Sequence, residues 1–470
     1  MSDKACEAAI GFIERIAPDL MEKGRIPGLS IAVVKDGDVV YASGFGARNV
    51  EQNLPATPDT LYGIGSCTKS FVALAIMQLA KKGKISLDDP ATKYTPLKIG
   101  RPGKPITIRH LLSHSSGIPS LGTSTIALQR GIGVDVWIPW GGVEDFYRHV
   151  NGAGDEIAAD PGERFFYLNA GYRILGHVIQ EASGLRFDEY ITEKILRPLK
   201  MGRTTLSKAE YMKDKDRMTP YRRDENGKPV PTEFPYPNVE DNPEFAFIAA
   251  AGGIISSVVD LTNYLKMNID MGAFEGAELI DGDSLEEMWT PHAERSRNHF
   301  GSYGYGYGWG VTEDFLGSKM VSHGGSILVS TAHLALVPEH GAGVAMASNI
   351  AGFPHAPVAQ GILAALMGHD PAKAIPTLRI WERMRTLTGS YETYRGLAKA
   401  EVVSKGGLLY LVLKGFDTDA ATPLIPEDDM LESNRFYILS EGVRQPVEFV
   451  IGPEKIDLYV ERNRYHKVTS

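Results

Sequence analysis

The stretch GIGSCTKSFVALAIMQLAKKGK, Gly63–Lys84, decides how the rest of the chain is read. From Ile64 to about Lys82 it has the length and composition of a helix, and Gly83 supplies the stop. Phe71, Val72, Leu74 and Ile76 leave no broad polar face, so the spacing predicts a helix buried inside a domain. Yet a serine stands at its start and a lysine three residues further on. Positions i and i+3 share one helix face, so the side chains of Ser66 and Lys69 can meet. Unpaired N–H groups at a helix start favour negative charge developing nearby. Burial of Lys69 lowers the pKa of its amine and leaves a neutral fraction able to take a proton. The pair is then a nucleophile and its base. Ordinary composition also yields about one Ser-x-x-Lys by chance in a chain this long, as a capping serine and a snorkelling lysine. Other segments must decide between the two.

At 470 residues, 43% hydrophobic and 23% charged, the chain has the composition of a globular protein with two or three domains. A net charge of −9 and a pI near 5.8 leave no basic footprint for nucleic acid or an anionic membrane. Near the N-terminus Ile10, Ile13, Ile16 and Leu20 recur between charges, which predicts an amphipathic helix rather than a signal peptide. No run of about 18 apolar residues suits a membrane span. Cys6 and Cys67 are the only cysteines, so neither a disulfide framework nor a cysteine metal cluster is expected. The expectation is a cytoplasmic protein that calls for no metal and no cofactor.

Leu29–Val34 and Val39–Ser43 flank an Asp-Gly turn and read as a hairpin. Further strands are predicted near Tyr303–Val311, Lys319–Ser322, Ala332–Val337 and Gly343–Ser348, with helices after Asn169, over Val259–Asn268 and around Val358–Met367. Strands at both ends of a long stretch predict one antiparallel sheet built from distant segments and packed with helices, an α+β domain. In GSYGYGYGWG, Gly301–Gly310, aromatics alternate with glycines, which predicts a strand whose bare face lets a helix or loop approach. Gly368–Pro376 reads as a boundary, giving domains 1–376 and 377–470. After Gly389 about eight short, evenly spaced strands predict a small all-β meander barrel. Ile456–Glu461 alternates cleanly, with one face buried and one wet.

Three segments speak to Ser66 and Lys69. Tyr167-Leu168-Asn169 follows Asp160-Pro161-Gly162-Glu163 and enters a helix; Leu111–Gly117 reads LLSHSSG; Ser322–Ser326 reads SHGGS after a predicted strand. Together with AGGIISS, Ala251–Ser257, and YGYGW, Tyr305–Trp309, and in this order, they resemble the serine β-lactamase and penicillin-recognising superfamily. The likeness is to its class C-like branch of D-aminopeptidases, esterases and peptidases, and extends over roughly Ile10–Met367.

The resemblance implies a β-lactamase-like catalytic domain in which Ser66 is acylated, Lys69 is the motif lysine, Tyr167 is the base partner, and Asn169 orients Lys69 and substrate. It places the oxyanion on the backbone N–H groups of Ser66 and Ser326. Gly324 and Gly325 would let a substrate backbone approach the strand edge. Whether Lys69 or Tyr167 takes the proton stays open at this level. A competing Tyr-x-Asn at Tyr236-Pro237-Asn238 is set aside because its prolines preclude helix entry, leaving Tyr236 as a residue of a loop over the site.

His323 departs from the lysine that many relatives carry. A histidine mostly neutral at pH 7 offers a hydrogen bond rather than a fixed cation, the version associated with D-aminopeptidases rather than efficient β-lactamases. Cys67 points about 100° away from Ser66 around the helix and reads as a small buried hydrophobe. His114 reads as a structural hydrogen-bonding residue. Trp137 and Trp140, in a glycine-rich excursion, are candidates for a substrate wall. The barrel resembles the lipocalin-like module of some relatives and is expected to hold a small ligand, narrow access to Ser66, or mediate assembly into a homo-oligomer. The reading as a whole is a Ser-Lys-Tyr serine hydrolase taking a small-molecule or short-peptide substrate, first a peptidase on short or D-residue-containing peptides. A carboxylesterase and a catalytically silent ligand-binding protein are the alternatives.

Overall fold

Asp36 and Gly37 have φ of 52° and 86°, the positive pair that a two-residue hairpin turn requires, and they join β1 (Gly28–Lys35) to β2 (Asp38–Asn49). The computed structural model describes residues 2–235, 242–414 and 421–468. In it the hairpin sits inside a nine-stranded sheet completed by β3 (Leu54–Pro55) and six strands from much later in the chain. These are β4 (Ala293–Asn298), β5 (Gly301–Tyr305), β6 (Gly310–Phe315), β7 (Ser318–Ser326), β8 (Thr331–Val337) and β9 (Ala342–Ser348). The order is β4-β5-β6-β7-β8-β9-β1-β2-β3, antiparallel throughout, with Leu29 opposite Ser348 and Lys35 opposite Ala342.

Every residue of β9 is buried, so both faces of the sheet are covered there. The N-terminal helix α1 (Ser2–Gly24) packs on the last helix of this unit, His355–Leu366, which in turn lies on β8 and β9. The central helix α2 (Thr68–Lys81) is buried from Thr68 through Leu79, Lys69 included. It packs against α3 (Asn169–Ser183), and Phe71 stacks at 3.8 Å on Tyr264 of α4 (Val258–Ile269). Its residues bury so fully because both its neighbours and its own side chains are apolar, and each Å² of apolar surface so taken from water contributes about 25 cal/mol.

The glycine-aromatic stretch corrects one expectation. It is not one strand: β5 ends at Tyr305, the chain turns through Gly306–Trp309, and β6 begins at Gly310. Gly308 has φ of 75°, and a Cβ there would lie 2.7 Å from the Lys69 carbonyl oxygen and 2.8 Å from Ser70 Cα. The close approach to a helix exists, made by a turn rather than by a strand face. Tyr305, Tyr307 and Trp309 are fully buried.

The chain divides into two compact units, Met1–Gly368 and His369–Ser470. The second begins with helices, among them α5 (Pro376–Leu387), ahead of a closed eight-stranded barrel. Its strands run Gly389–Glu392, Lys399–Lys405, Leu408–Lys414, Ala421–Pro426, Arg435–Ser440, Val443–Ile451, Ile456–Val460 and Asn463–Lys467. Leu387, Tyr391, Leu411, Phe436, Phe449 and Leu458 share its core. The alternation in Ile456–Val460 is broken by Asp457, which is buried where Arg464 and His466 each reach it at 2.6 Å.

Candidate active site

Ser66 stands in a single tight turn, Gly65–Cys67, that leads straight into α2. Gly65 is forced here twice over: its φ is 52°, and a Cβ on it would lie 2.5 Å from the backbone nitrogen of Ser326. Gly325 answers from the opposite side, since a Cβ there would lie 1.9 Å from the Ile64 carbonyl oxygen and 2.9 Å from the Ser66 nitrogen. The serine turn is thus lodged against the end of β7, with the amides of Ser66 and Ser326 next to each other. Cys67 Sγ fastens the turn by donating to the His323 carbonyl at 3.1 Å. Burial pushes that thiol up to about 12, which leaves no thiolate for chemistry.

Lys69 is fully buried, and its Nζ lies 3.0 Å from Ser66 Oγ, 2.8 Å from Asn169 Oδ1 and 2.6 Å from the Ala251 carbonyl oxygen. Burial first, and then the charge of Arg173, hold the amine well below the ordinary lysine value of 10.5. A neutral amine has two N–H donors and one lone pair. In that form the amine gives its donors to the Asn169 and Ala251 oxygens and turns its lone pair to Ser66; in the protonated form it donates to all three.

Asn169 reaches Lys69 because it is the first residue of α3, and Tyr167 sits two residues before that helix in extended chain. Burial raises the Tyr167 phenol above its ordinary value, while hydrogen bonding with Ser66 and the charge of Arg295 act the other way. Lys69 Nζ lies 5.0 Å from the centre of the Tyr167 ring. His114, in the left-handed region at φ 58°, holds this segment from both sides. Its carbonyl accepts from the Phe166 N–H at 2.8 Å, its Nδ1 accepts from the Leu168 N–H at 3.0 Å, and its ring lies 4.2 Å from that of Tyr167. Burial keeps this imidazole neutral.

The last residue of β7 paired with β6 is Ser322, opposite Gly310, so His323–Ser326 overhang with an open edge on that side. His323 Nδ1 lies 2.7 Å from the Gly324 carbonyl, an acceptor only, and therefore carries the proton. Nε2 then accepts from the Tyr305 hydroxyl at 2.9 Å. Burial, with the charge of Lys69 next, pushes this imidazole down to about 3, so it is neutral, and both of its nitrogens are engaged within the protein.

One cavity opens at Ser66 and another at Tyr167. The first, of about 100 Å³, is lined by Ser66, Asn169, Arg173, Ala251 and Ser326 among others. The other, of about 220 Å³, is lined by Tyr167, Arg295, Tyr303, Ser322, His323 and Gly324 among others. Sequence reasoning missed Arg173 and Arg295. Arg173 lies four residues after Asn169 on α3, a same-face spacing that could have disclosed it; nothing in the sequence ties Arg295, on β4, to Tyr167. Trp137 is 88% exposed and lines neither cavity, so it forms no wall to them. Trp140 packs on Phe146 and lies under the Arg173 guanidinium at 5.6 Å. Tyr236 lies outside the described residues.

A sheet of this order with a buried Ser-x-x-Lys helix against its β7 edge is the β-lactamase fold, and the chain belongs to that family: the Beta-lactamase family profile matches residues 13–367. A second profile, the Pab87 octamerisation domain, matches residues 371–466. Among solved structures, the octameric penicillin-binding protein homologue from Pyrococcus abyssi superposes with a TM-score of 0.87 at 42% identity, covering 97% of this chain and 100% of that one. The penicillin binding protein from Bacillus halodurans gives 0.58 at 23% identity over 75% of this chain and 99% of that one, a likeness of fold. Protein flp from Staphylococcus aureus (strain MW2) is 30% identical over 341 residues, 72% of this chain and 62% of that protein. The chain thus spans under two thirds of the length of that curated relative. Among the described residues no helix is long and apolar enough to cross a membrane.

Proposed function

We propose that this β-lactamase-fold hydrolase is a serine peptidase acting on short peptides, those with D-residues included, through an acyl-enzyme on Ser66. The observation that carries the reading is the buried Lys69 amine, held below the ordinary lysine value and within hydrogen-bond reach of Ser66 Oγ, Asn169 Oδ1 and the Ala251 carbonyl oxygen. Lys69 takes the Ser66 proton as Oγ attacks the carbonyl carbon, and the oxyanion forms at the N–H groups of Ser66 and Ser326. The raised phenol of Tyr167 stays protonated, which supports Lys69 as the acceptor and Tyr167 as the group that passes a proton to the leaving group. The proton held by Lys69 then passes to Tyr167 and restores the phenol; a water attacks the acyl carbon, its proton goes by way of Lys69 to Ser66 Oγ as the ester bond breaks, and the free acid leaves. The open edge at His323–Ser326 suits an extended peptide, whose backbone can add alongside Gly324 and Gly325. We place the enzyme in the cytoplasm, where Cys6 and Cys67, both free, remain thiols. The match of residues 371–466 supports assembly into a homo-oligomer through the barrel.

In the first test, intact mass after a fluorophosphonate shows one adduct on the native chain and none on Ser66→Ala. Labelling that survives the substitution removes Ser66 as nucleophile. Aminoacyl anilides in L and D series, set against p-nitrophenyl esters, decide the substrate class. Fast ester turnover with inert anilides makes the enzyme a carboxylesterase, and a stoichiometric burst without turnover makes it a binding protein.

A further inference from the structure

Resting on the reading of Ser66 as the acylated residue, we propose that Arg173 binds a carboxylate on the acyl portion of the substrate, inside the cavity it shares with Ser66, Asn169 and Ser326. Arg173 is 5% exposed. Its Nε donates to the Ile248 carbonyl at 3.2 Å, its Nη1 has no hydrogen-bond partner, and no carboxylate among the described residues forms an ion pair with it. A guanidinium kept from water without a counter-charge destabilises a fold, and among the described residues no structural ion pair offsets that cost for Arg173. The Trp140 ring below it fixes the plane of the fork, and a planar fork with a free donor suits a carboxylate.

The side of the scissile bond follows from where the two cavities lie. Tyr167, which serves the leaving group, lines the other cavity with His323, so the leaving group departs that way. The acyl group remaining on Ser66 Oγ extends past Asn169 toward Arg173. The substrate class is then an acyl donor with an acidic side chain or a terminal dicarboxylic acyl group. His323, neutral and doubly engaged, supplies no such anchor.

The test uses the full chain with p-nitroanilides and phenyl thioesters of succinic and glutaric acids, each against the corresponding monoamide, which is nearly isosteric and uncharged. The native enzyme is expected to prefer the acids by about 100-fold in kcat/KM, and Arg173→Met to bring that ratio near unity. Arg173→Lys, which keeps the charge but loses the fork, is expected to retain part of the preference and serves where the methionine variant does not fold. No preference in the native enzyme overturns the proposal. So does an equal loss on acids and amides in the variant, because Arg173 then acts through the Lys69 amine. Fluorophosphonate labelling separates the two levels: labelled Ser66 without acid preference sinks this inference alone, whereas unlabelled Ser66 sinks the hydrolase reading and this inference with it.

Discussion

An amine at position 69, buried with no carboxylate partner among the described residues, is costly to the fold and is the basis of the proposed chemistry. In water it would carry a proton to pH 10.5; sealed beside Arg173 it gives that proton up well below this value. Lys69 must be neutral to act, so kcat/KM is expected to fall as pH drops through its lowered pKa, giving an acid limb centred well below 10.5. A pH–rate profile lacking that limb removes Lys69 as the base. Lys69→Met is expected to lower kcat by about a thousandfold or more, measured with any substrate the native enzyme accepts. Helical spacing predicted that Ser66 and Lys69 share a face, which they do; Tyr167 and Asn169 were singled out by the resemblance, and the structure places Asn169 at the start of α3 within reach of Lys69. The Ala251 carbonyl, the third partner of Lys69, was not legible, because a backbone oxygen carries no sequence mark. His114 was read as structural; its two bonds on either side of Tyr167 show which structure it serves.

At the level of the element, the edge of β7 is what turns a helix with a serine into a site. Gly325 has no room for a side chain: a Cβ would meet the Ile64 carbonyl at 1.9 Å, and backbone cannot rotate away as a side chain can. Gly325→Ala is therefore expected to part the Ser66 and Ser326 amides and to cost about 100-fold or more in kcat while the chain still folds, checked by turnover and circular dichroism together. A fully active variant would show that the two amides do not act as a pair. The sequence marked this edge with Gly324-Gly325 but could not show that β6 begins only at Gly310, opposite Ser322, and leaves it open. The same limit applied to Gly301–Gly310, where strict alternation suggested one strand. Positive φ at Gly308 and the crowding of Gly306 against the Met288 carbonyl make a corner instead.

Across the whole molecule, burial sets the response to acid. His323, His333 and His355 are buried and pushed down to about 3, 4 and 3 from 6.5. The unfolded chain takes up protons from pH 6.5 downward while these folded imidazoles do not, so stability is present above that pH and is lost toward pH 4 and 3. The loss between pH 7.5 and 5 is about 2 kcal/mol for each histidine. Urea midpoints at pH 7.5 and 5 should differ accordingly, and His355→Gln should narrow the gap by one histidine's share; an unchanged gap would mean that His355 titrates normally. The barrel invites a separate measurement. A chain ending at Gly368 is expected to form a smaller assembly by light scattering than the full chain, and an unaltered mass would release the barrel from that role.

By itself the sequence determined what depends on near neighbours: the Asp36-Gly37 turn, the buried α2 with Ser66 and Lys69 three apart, the entry of Asn169 into α3, and the even spacing of the barrel strands. These follow from φ preferences and from the 3.6 and 2.0 periods of helix and strand, which act over a few residues. Only the tertiary structure decided that Arg173 lines the cavity of Ser66 with its Nη1 unpartnered among the described residues, that Arg295 and Tyr167 line one cavity, and that both nitrogens of His323 are already occupied. Such relations join residues far apart in the chain, and they are fixed by which apolar surfaces close on one another, a global property that no local stretch encodes.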